Sequence, residues 1–181
     1  CIRDRYFVVD GVSCIGAVEV DLIKDKIDVL VSGSQKAIML PPGVAFVAYS
    51  DRAIDRFAEV TTPRFYLDLN KYLSSQEQNS TPFTPNVALF RGVNAYVELV
   101  KHEGLNHVIK RHYSIRNALR TALKSLDLEL LVKDDSYASP TVTSFVPKDK
   151  EELTYLKDQL KSRFNITIAG GQGHLKGHIL R

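Results

Sequence analysis

Three short apolar runs in the first fifty residues constrain this chain most. Residues 6–10, 27–32 and 43–50 are rich in Val, Phe, Ile and Leu and are bounded by turn-forming residues. Runs of that length read as strands rather than helices. They are continuous rather than alternating, which predicts a parallel or mixed sheet covered on both faces. Such sheets bind ligands outside the carboxyl ends of their strands. The first run ends on Asp10, and the second leads into Ser32-Gly33-Ser34-Gln35-Lys36. Two chemically capable groups therefore fall where a ligand would sit.

The rest of the chain alternates helix and strand signals. After the turn Pro41-Pro42-Gly43 and the third run, Asp51 is placed to cap a helix reaching about Val60. A short helix is expected over 66–73 and a polar loop over 75–84. Pro85 suits the first position of a long helix over 86–103 that closes near Gly104. Another helix is expected over 106–126, with Val108, Ala118, Leu119 and Leu123 near helical spacing. Residues 141–146 read as a strand. Residues 149–164 read as an amphipathic helix, with Leu153, Leu156, Leu160 and Phe164 at steps of three or four. Residues 166–169 and 177–181 read as strands around a glycine-rich turn, the last ending on Arg181.

The fold class is thus α/β. Residues 1–85 read as a sheet-rich domain, 86–105 as a connecting helix and 106–181 as a small α/β domain. The chain opens on Cys1 and passes almost at once into an apolar strand, and it stops just after another. Domains usually begin and end in exposed polar segments, so the expectation is an internal piece of a longer protein.

Composition narrows the partners. Among 181 residues, 44% are hydrophobic and 25% charged, as in ordinary globular proteins. The formal charge of +3 is not gathered into a stripe, so neither a nucleic acid nor a membrane surface is an expected partner. No apolar stretch approaches the ~20 residues that span a bilayer. Cys1 and Cys14 are too few for a secreted disulfide scaffold, which favours a cytoplasmic setting. The histidines, His102 and His107 among them, lack ligand spacing, so no metal is expected. Gly170-Gly171-Gln172-Gly173-His174-Leu175-Lys176 lacks the spacing of a phosphate-binding P-loop and reads as a turn.

Singly, Asp10 reads as a turn residue, Lys36 as a solvated loop lysine and Arg181 as a surface charge. Their order and context change that weighting. Phe7-Val8-Val9-Asp10-Gly11-Val12-Ser13-Cys14-Ile15-Gly16, Ile27-Asp28-Val29, Ser32-Gly33-Ser34-Gln35-Lys36-Ala37 and Pro41-Pro42-Gly43 resemble the class V aminotransferases. Phe65-Tyr66-Leu67-Asp68, Pro82-Phe83-Thr84-Pro85 and Gly170-Gly171-Gln172-Gly173 through Arg181 continue the likeness. It is nearest to the serine–pyruvate and alanine–glyoxylate branch and covers essentially the whole chain.

The resemblance implies part of the fold type I of pyridoxal-phosphate (PLP) transferases: the end of a large mixed-sheet domain plus a small C-terminal α/β domain. It implies Lys36 as the Schiff-base lysine and Asp10 as the partner of the pyridine nitrogen. Val12 would lie against the ring and Gln35 would hydrogen-bond the phosphate. Thr84 or Thr81 would reach the phosphate of a neighbouring subunit, with an ordinary helix cap as the other reading of either. Arg181 would grip the substrate α-carboxylate through its bidentate fork.

The implied activity is transfer of an amino group from alanine or serine to glyoxylate or pyruvate, in a homodimer with a shared site. The family's phosphate loop and ring-stacking aromatic are missing here, so this segment alone is expected to bind PLP poorly and to be inactive. Two rival readings stand beside this one. A cysteine desulfurase or related lyase typically carries His immediately before the lysine, where this chain has Gln35. A non-catalytic interaction subunit has no physical need for Asp10, Gln35, Lys36 and Arg181 together.

Overall fold

The computed structural model describes residues 5–181 and falls into two units, the first ending at Leu105 and the second spanning Asn106–Arg181. Cys1 lies outside the described residues.

The first unit carries a sheet of β1 (Val8–Asp10), β2 (Val29–Gly33) and β3 (Ala45–Tyr49), in that spatial order. β1 runs parallel to β2, with Asp10 opposite Val31. β2 runs antiparallel to β3, with Gly33 opposite Ala45. The sheet is therefore mixed, as the apolar runs predict. Its coverage is not as predicted. Leu30 in the central strand is 7% exposed, but Val8 at the edge is 61% exposed. Burial on both faces needs a packed layer on each side, and the described residues do not supply both to β1 or β3.

Buried Asp28 ties the strands together just ahead of β2. Its carboxylate accepts hydrogen bonds from the Phe7 amide at 2.7 Å and the Ser50 hydroxyl at 3.3 Å, and Arg52 lies 3.8 Å away. A buried carboxylate persists only when paired and hydrogen-bonded in this way.

Helix α1 (Asp51–Glu59) is capped by Ser50, whose hydroxyl accepts from the Ala53 amide at 3.3 Å. Asp51, the expected cap, occupies the first turn instead, where its charge complements the helix dipole. Helix α2 (Leu69–Glu77) starts later than expected because the Asp68 carboxylate caps it. Arg64 holds the preceding connection, bonding Asp68 at 3.1 Å and the carbonyls of Phe57 at 3.0 Å and Val60 at 2.8 Å. Helix α3 (Val87–Glu103) is capped by Asn86 and ended by Gly104 at φ 86°. Pro85 thus precedes the cap and is not the first helical residue.

In the second unit, helix α4 (Leu105–Ser125) leads to a short antiparallel pair, β4 (Glu129–Leu130) and β5 (Phe145–Val146), and then to helix α5 (Lys150–Phe164). Asp149 caps α5, and Asn165 closes it in the left-handed region at φ 54°. The core gathers Leu130, Phe145 and Leu180, with Leu123, Leu153 and Leu156 packed against it. Leu153, Leu156 and Leu160 of the α5 stripe are half-buried, while Phe164 at its end is 62% exposed.

Two expectations need correction here. The strand expected over 141–146 shortens to Phe145–Val146, and β4 was not foreseen. The strands expected over 166–169 and 177–181 are single backbone bridges. Ala169 and Arg181 exchange hydrogen bonds at 3.1 and 2.8 Å, and Phe145 and Leu180 exchange them at 2.9 and 3.0 Å. A 3-10 turn, Gly173–Leu175, fills the glycine-rich connection. Among the described residues no helix is long and apolar enough to cross a membrane.

Candidate functional site

Parallel pairing puts the carboxyl ends of β1 and β2 at the same edge of the sheet. Asp10 is the last residue of β1, and the Ser34-Gln35-Lys36 segment follows the last residue of β2. Register therefore brings a carboxylate and an amine, far apart in sequence, to one edge.

Asp10 is exposed, and its Oδ1 accepts from the Val12 amide at 2.9 Å. The turn role and a ligand role are compatible, because the other carboxylate oxygen makes no hydrogen bond among the described residues. Val12 is half-buried beside it. The next residue after Asp10 must be small: a Cβ on Gly11 would stand 2.8 Å from Leu30 Cδ1 and 2.9 Å from Ile15 Cγ1. Burial, followed by the nearby Asp10 charge, pushes the Cys14 thiol above its ordinary pKa, which makes it a poor nucleophile.

Gln35 and Lys36 both present exposed side chains. The Lys36 carbonyl accepts from the Met39 amide at 2.8 Å, so the lysine opens a single turn whose next apolar residue, Ile38, is buried. Ser34, immediately before them, is buried and bonds the segment from Leu40 to Val44. Sequence reading did not single it out. A serine between a glycine and a glutamine looks like ordinary loop, and only its bonds to the Leu40–Val44 segment mark it.

Thr84 is exposed and lies two residues before Asn86. Asn86 takes the cap, its Oδ1 accepting from the Leu89 amide at 3.2 Å, so Thr84 is not the helix cap. The Thr81 hydroxyl is spent locally on the Phe83 carbonyl at 2.8 Å. Phe83 anchors this stretch against Phe65, Tyr66 and Tyr72, at ring separations of 5.4, 4.9 and 6.1 Å.

Arg181 belongs to the second unit. Its Nε donates to the Gly170 carbonyl at 2.9 Å, and the residue is exposed. A cleft of about 530 Å³ in the first unit is lined by Ile15, Gly16, Ile38, Tyr96 and Val100 among others, but not by Asp10, Gln35 or Lys36. Among the described residues no group of three or more His, Cys, Asp or Glu could hold a metal ion.

The donor set fits PLP. An exposed amine can condense with an aldehyde, a neighbouring carboxylate can hold a ring N–H, and an amide and a hydroxyl can donate to phosphate.

Comparison with known proteins follows the same lines. The family model described as "Aminotransferase class-V" matches residues 3–178. The chain is 43% identical over 174 residues to the "Soluble hydrogenase, small subunit" of Synechococcus sp. (strain PCC 6716), covering 96% of this chain and 45% of that one. It is 32% identical to the L-aspartate–glyoxylate aminotransferase of Paracoccus denitrificans (strain Pd 1222), covering 96% and 44%. Its structure resembles the alanine–glyoxylate aminotransferase of Nostoc sp. with a TM-score of 0.87 at 27% identity, covering 97% and 47%. The chain thus spans about half the length of the curated relatives it matches.

Proposed function

Since the chain belongs to the class V aminotransferases, we propose that the whole protein is a PLP-dependent aminotransferase with Lys36 as its cofactor lysine. The α/β architecture is part of fold type I of the PLP-dependent transferases. Residues 1–85 are read as the end of the large cofactor-binding domain, 86–105 as the connecting helix and 106–181 as the small domain. The observation that carries the reading is Asp10 at the end of β1 and Lys36 in the segment that follows the end of the adjacent parallel strand β2.

Bound there, PLP supplies an aldehyde for amine exchange and a ring that withdraws electrons from the substrate Cα. Asp10 holds the proton on the ring nitrogen, because a close carboxylate favours the cationic form. Lys36 Nζ, a titratable amine on a flexible stem, takes the Cα proton and returns it on the cofactor side. Val12 packs on the ring face. Gln35 donates to the phosphate, and Thr84 donates to the phosphate of a neighbouring subunit in a homodimer. Thr84 is favoured over Thr81 because the Thr81 hydroxyl is already used. Arg181 grips the substrate carboxylate with its fork.

The substrates are small: alanine or serine as donor, glyoxylate or pyruvate as acceptor, in a cytoplasmic setting. The test is a screen of the whole protein with these four, expecting transfer with at least one pair. Sulfide release from cysteine without any transfer would move the assignment to a desulfurase. A relative named as a hydrogenase subunit supports a second reading, in which the whole protein serves as a subunit of a larger assembly. Stable co-purification with other chains, and no lysine-bound cofactor, would favour it.

A further inference from the structure

Ser34 is 0% exposed, while the next two residues, Gln35 and Lys36, are both exposed. Every polar atom of Ser34 is used on one segment. Its amide donates to the Val44 carbonyl at 3.0 Å, and its carbonyl accepts from the Leu40 amide at 3.0 Å. Its hydroxyl donates to the Pro41 carbonyl at 2.7 Å and accepts from the Val44 amide at 3.3 Å.

The chemistry of the segment explains why a hydroxyl is needed. Pro41 and Pro42 have no N–H, so the turn cannot satisfy the Pro41 carbonyl from its own prolines. The turn is itself restricted, because the rings of Pro41 and Pro42 fix φ at two successive positions. Gly43 lies at φ 143°, and a Cβ there would stand 2.6 Å from Leu89 Cδ1. The backbone bonds of Ser34 would close the loop without the side chain. What the hydroxyl adds is a second tie, from the residue two before Lys36 to a turn that has little freedom to move.

We infer that Ser34 is a positioning residue for Lys36: its buried hydroxyl locks the lysine loop to the Pro41-Pro42-Gly43 turn and so fixes where the amine is presented. The inference rests on the reading of Lys36 as the cofactor lysine. Displacing a reacting group by about 1 Å can cost on the order of a hundredfold in rate, so loss of the tie acts on turnover more than on substrate binding.

The test uses the whole protein. Borohydride reduction in the presence of PLP first locates the cofactor lysine in the wild type; a mark elsewhere overturns the Lys36 reading, independently of Ser34. In cofactor-free protein, the labelling rate of Lys36 by an acylating reagent is then compared between wild type and Ser34→Ala. The variant is expected to change that rate several-fold while leaving the labelling of surface lysines unchanged. With cofactor, kcat is expected to fall about 10- to 100-fold with KM within about threefold. A lowered melting temperature with unchanged Lys36 labelling and kcat would overturn the inference, leaving Ser34 a purely structural residue. Ser34→Cys keeps the shape with a somewhat larger atom and weakens the hydrogen bonds, and it carries the same readouts and the same two outcomes if Ser34→Ala does not fold.

Discussion

Asp10 acts on its neighbours through both a hydrogen bond and its charge. One oxygen closes the turn to Val12, and the charge also reaches Cys14, whose thiol it helps to hold above its ordinary pKa. Asp10→Asn keeps an oxygen that can close the turn but removes the charge. It is therefore expected to lower the Cys14 pKa, and alkylation of Cys14 in the whole protein should be faster near pH 8, read by mass spectrometry. An unchanged or slower rate would contradict the electrostatic link. In turnover, the same substitution is expected to cost about a hundredfold or more through loss of the ring partner. At this scale the sequence places Asp10 at the end of one strand-like run and Lys36 just past another, and the structure has them at the end of β1 and beyond β2. Ser34 and Asp28 were not singled out, because a small polar side chain and a lone acid betray burial only through partners, 7 and 10 residues on for Ser34 and 21 and 22 away for Asp28.

At the scale of elements, the second unit is held by its last strand-like segment and by two buried arginines. Leu180 is 0% exposed and pairs its backbone with Phe145. Leu180→Ala is expected to destabilise the unit by about 2–5 kcal/mol, measured by denaturant unfolding; a change under 1 kcal/mol would mean the core readily collapses around the gap.

Arg116 and Arg120 of α4 are buried and clasp the connection after β4. Arg116 bonds the Ala138 carbonyl at 2.8 Å, while Arg120 bonds the Val132 carbonyl at 2.8 Å and the Asp135 carboxylate at 2.6 Å. The Arg120 hydrogen bond, followed by the charges of Arg120 and Lys124, lowers the Asp135 pKa. A depressed carboxylate stabilises the fold fully above its unfolded value, about 3.9, and that contribution is lost as pH falls through the lower folded value. Protection of the amides of residues 132–138, taken relative to the intrinsic exchange rate at each pH, should therefore fall below about pH 4 in the wild type, and Asp135→Asn should already be less protected at neutral pH. Equal exchange in the two proteins at neutral pH would contradict the clasp.

The caps Ser50, Asp68 and Asn86 were not singled out, because Asp51, Tyr66 and Pro85 compete with them for the helix start, whereas the close of α3 at Gly104 was legible. The rear strands were not. Their pairing involves single bridges, and apolar runs do not reveal how few residues a ladder will engage.

At the scale of the molecule, much apolar surface lies open: Val8, Ile23, Phe65, Tyr66 and Leu67 are all exposed. Large exposed apolar patches signal missing contacts, and the chain covers about half the length of its relatives. The 181-residue chain alone is accordingly expected to self-associate and to bind a hydrophobic dye, with little PLP binding. The whole protein should instead form a defined homodimer, leave the dye dark and bind PLP. A monomeric, dye-silent chain in sedimentation would contradict this. The family and the mixed sheet could be read from the sequence, whereas the uncovered faces could not, since apolar runs say that a strand wants cover and not whether this chain provides it.

With Lys36 as the proposed cofactor lysine, borohydride reduction of the whole protein with PLP, followed by peptide mapping, should give a single reduced cofactor adduct on Lys36, absent from Lys36→Ala together with the visible absorbance band. A reducible band that survives in Lys36→Ala, or an adduct on another lysine in the wild type, would contradict that assignment.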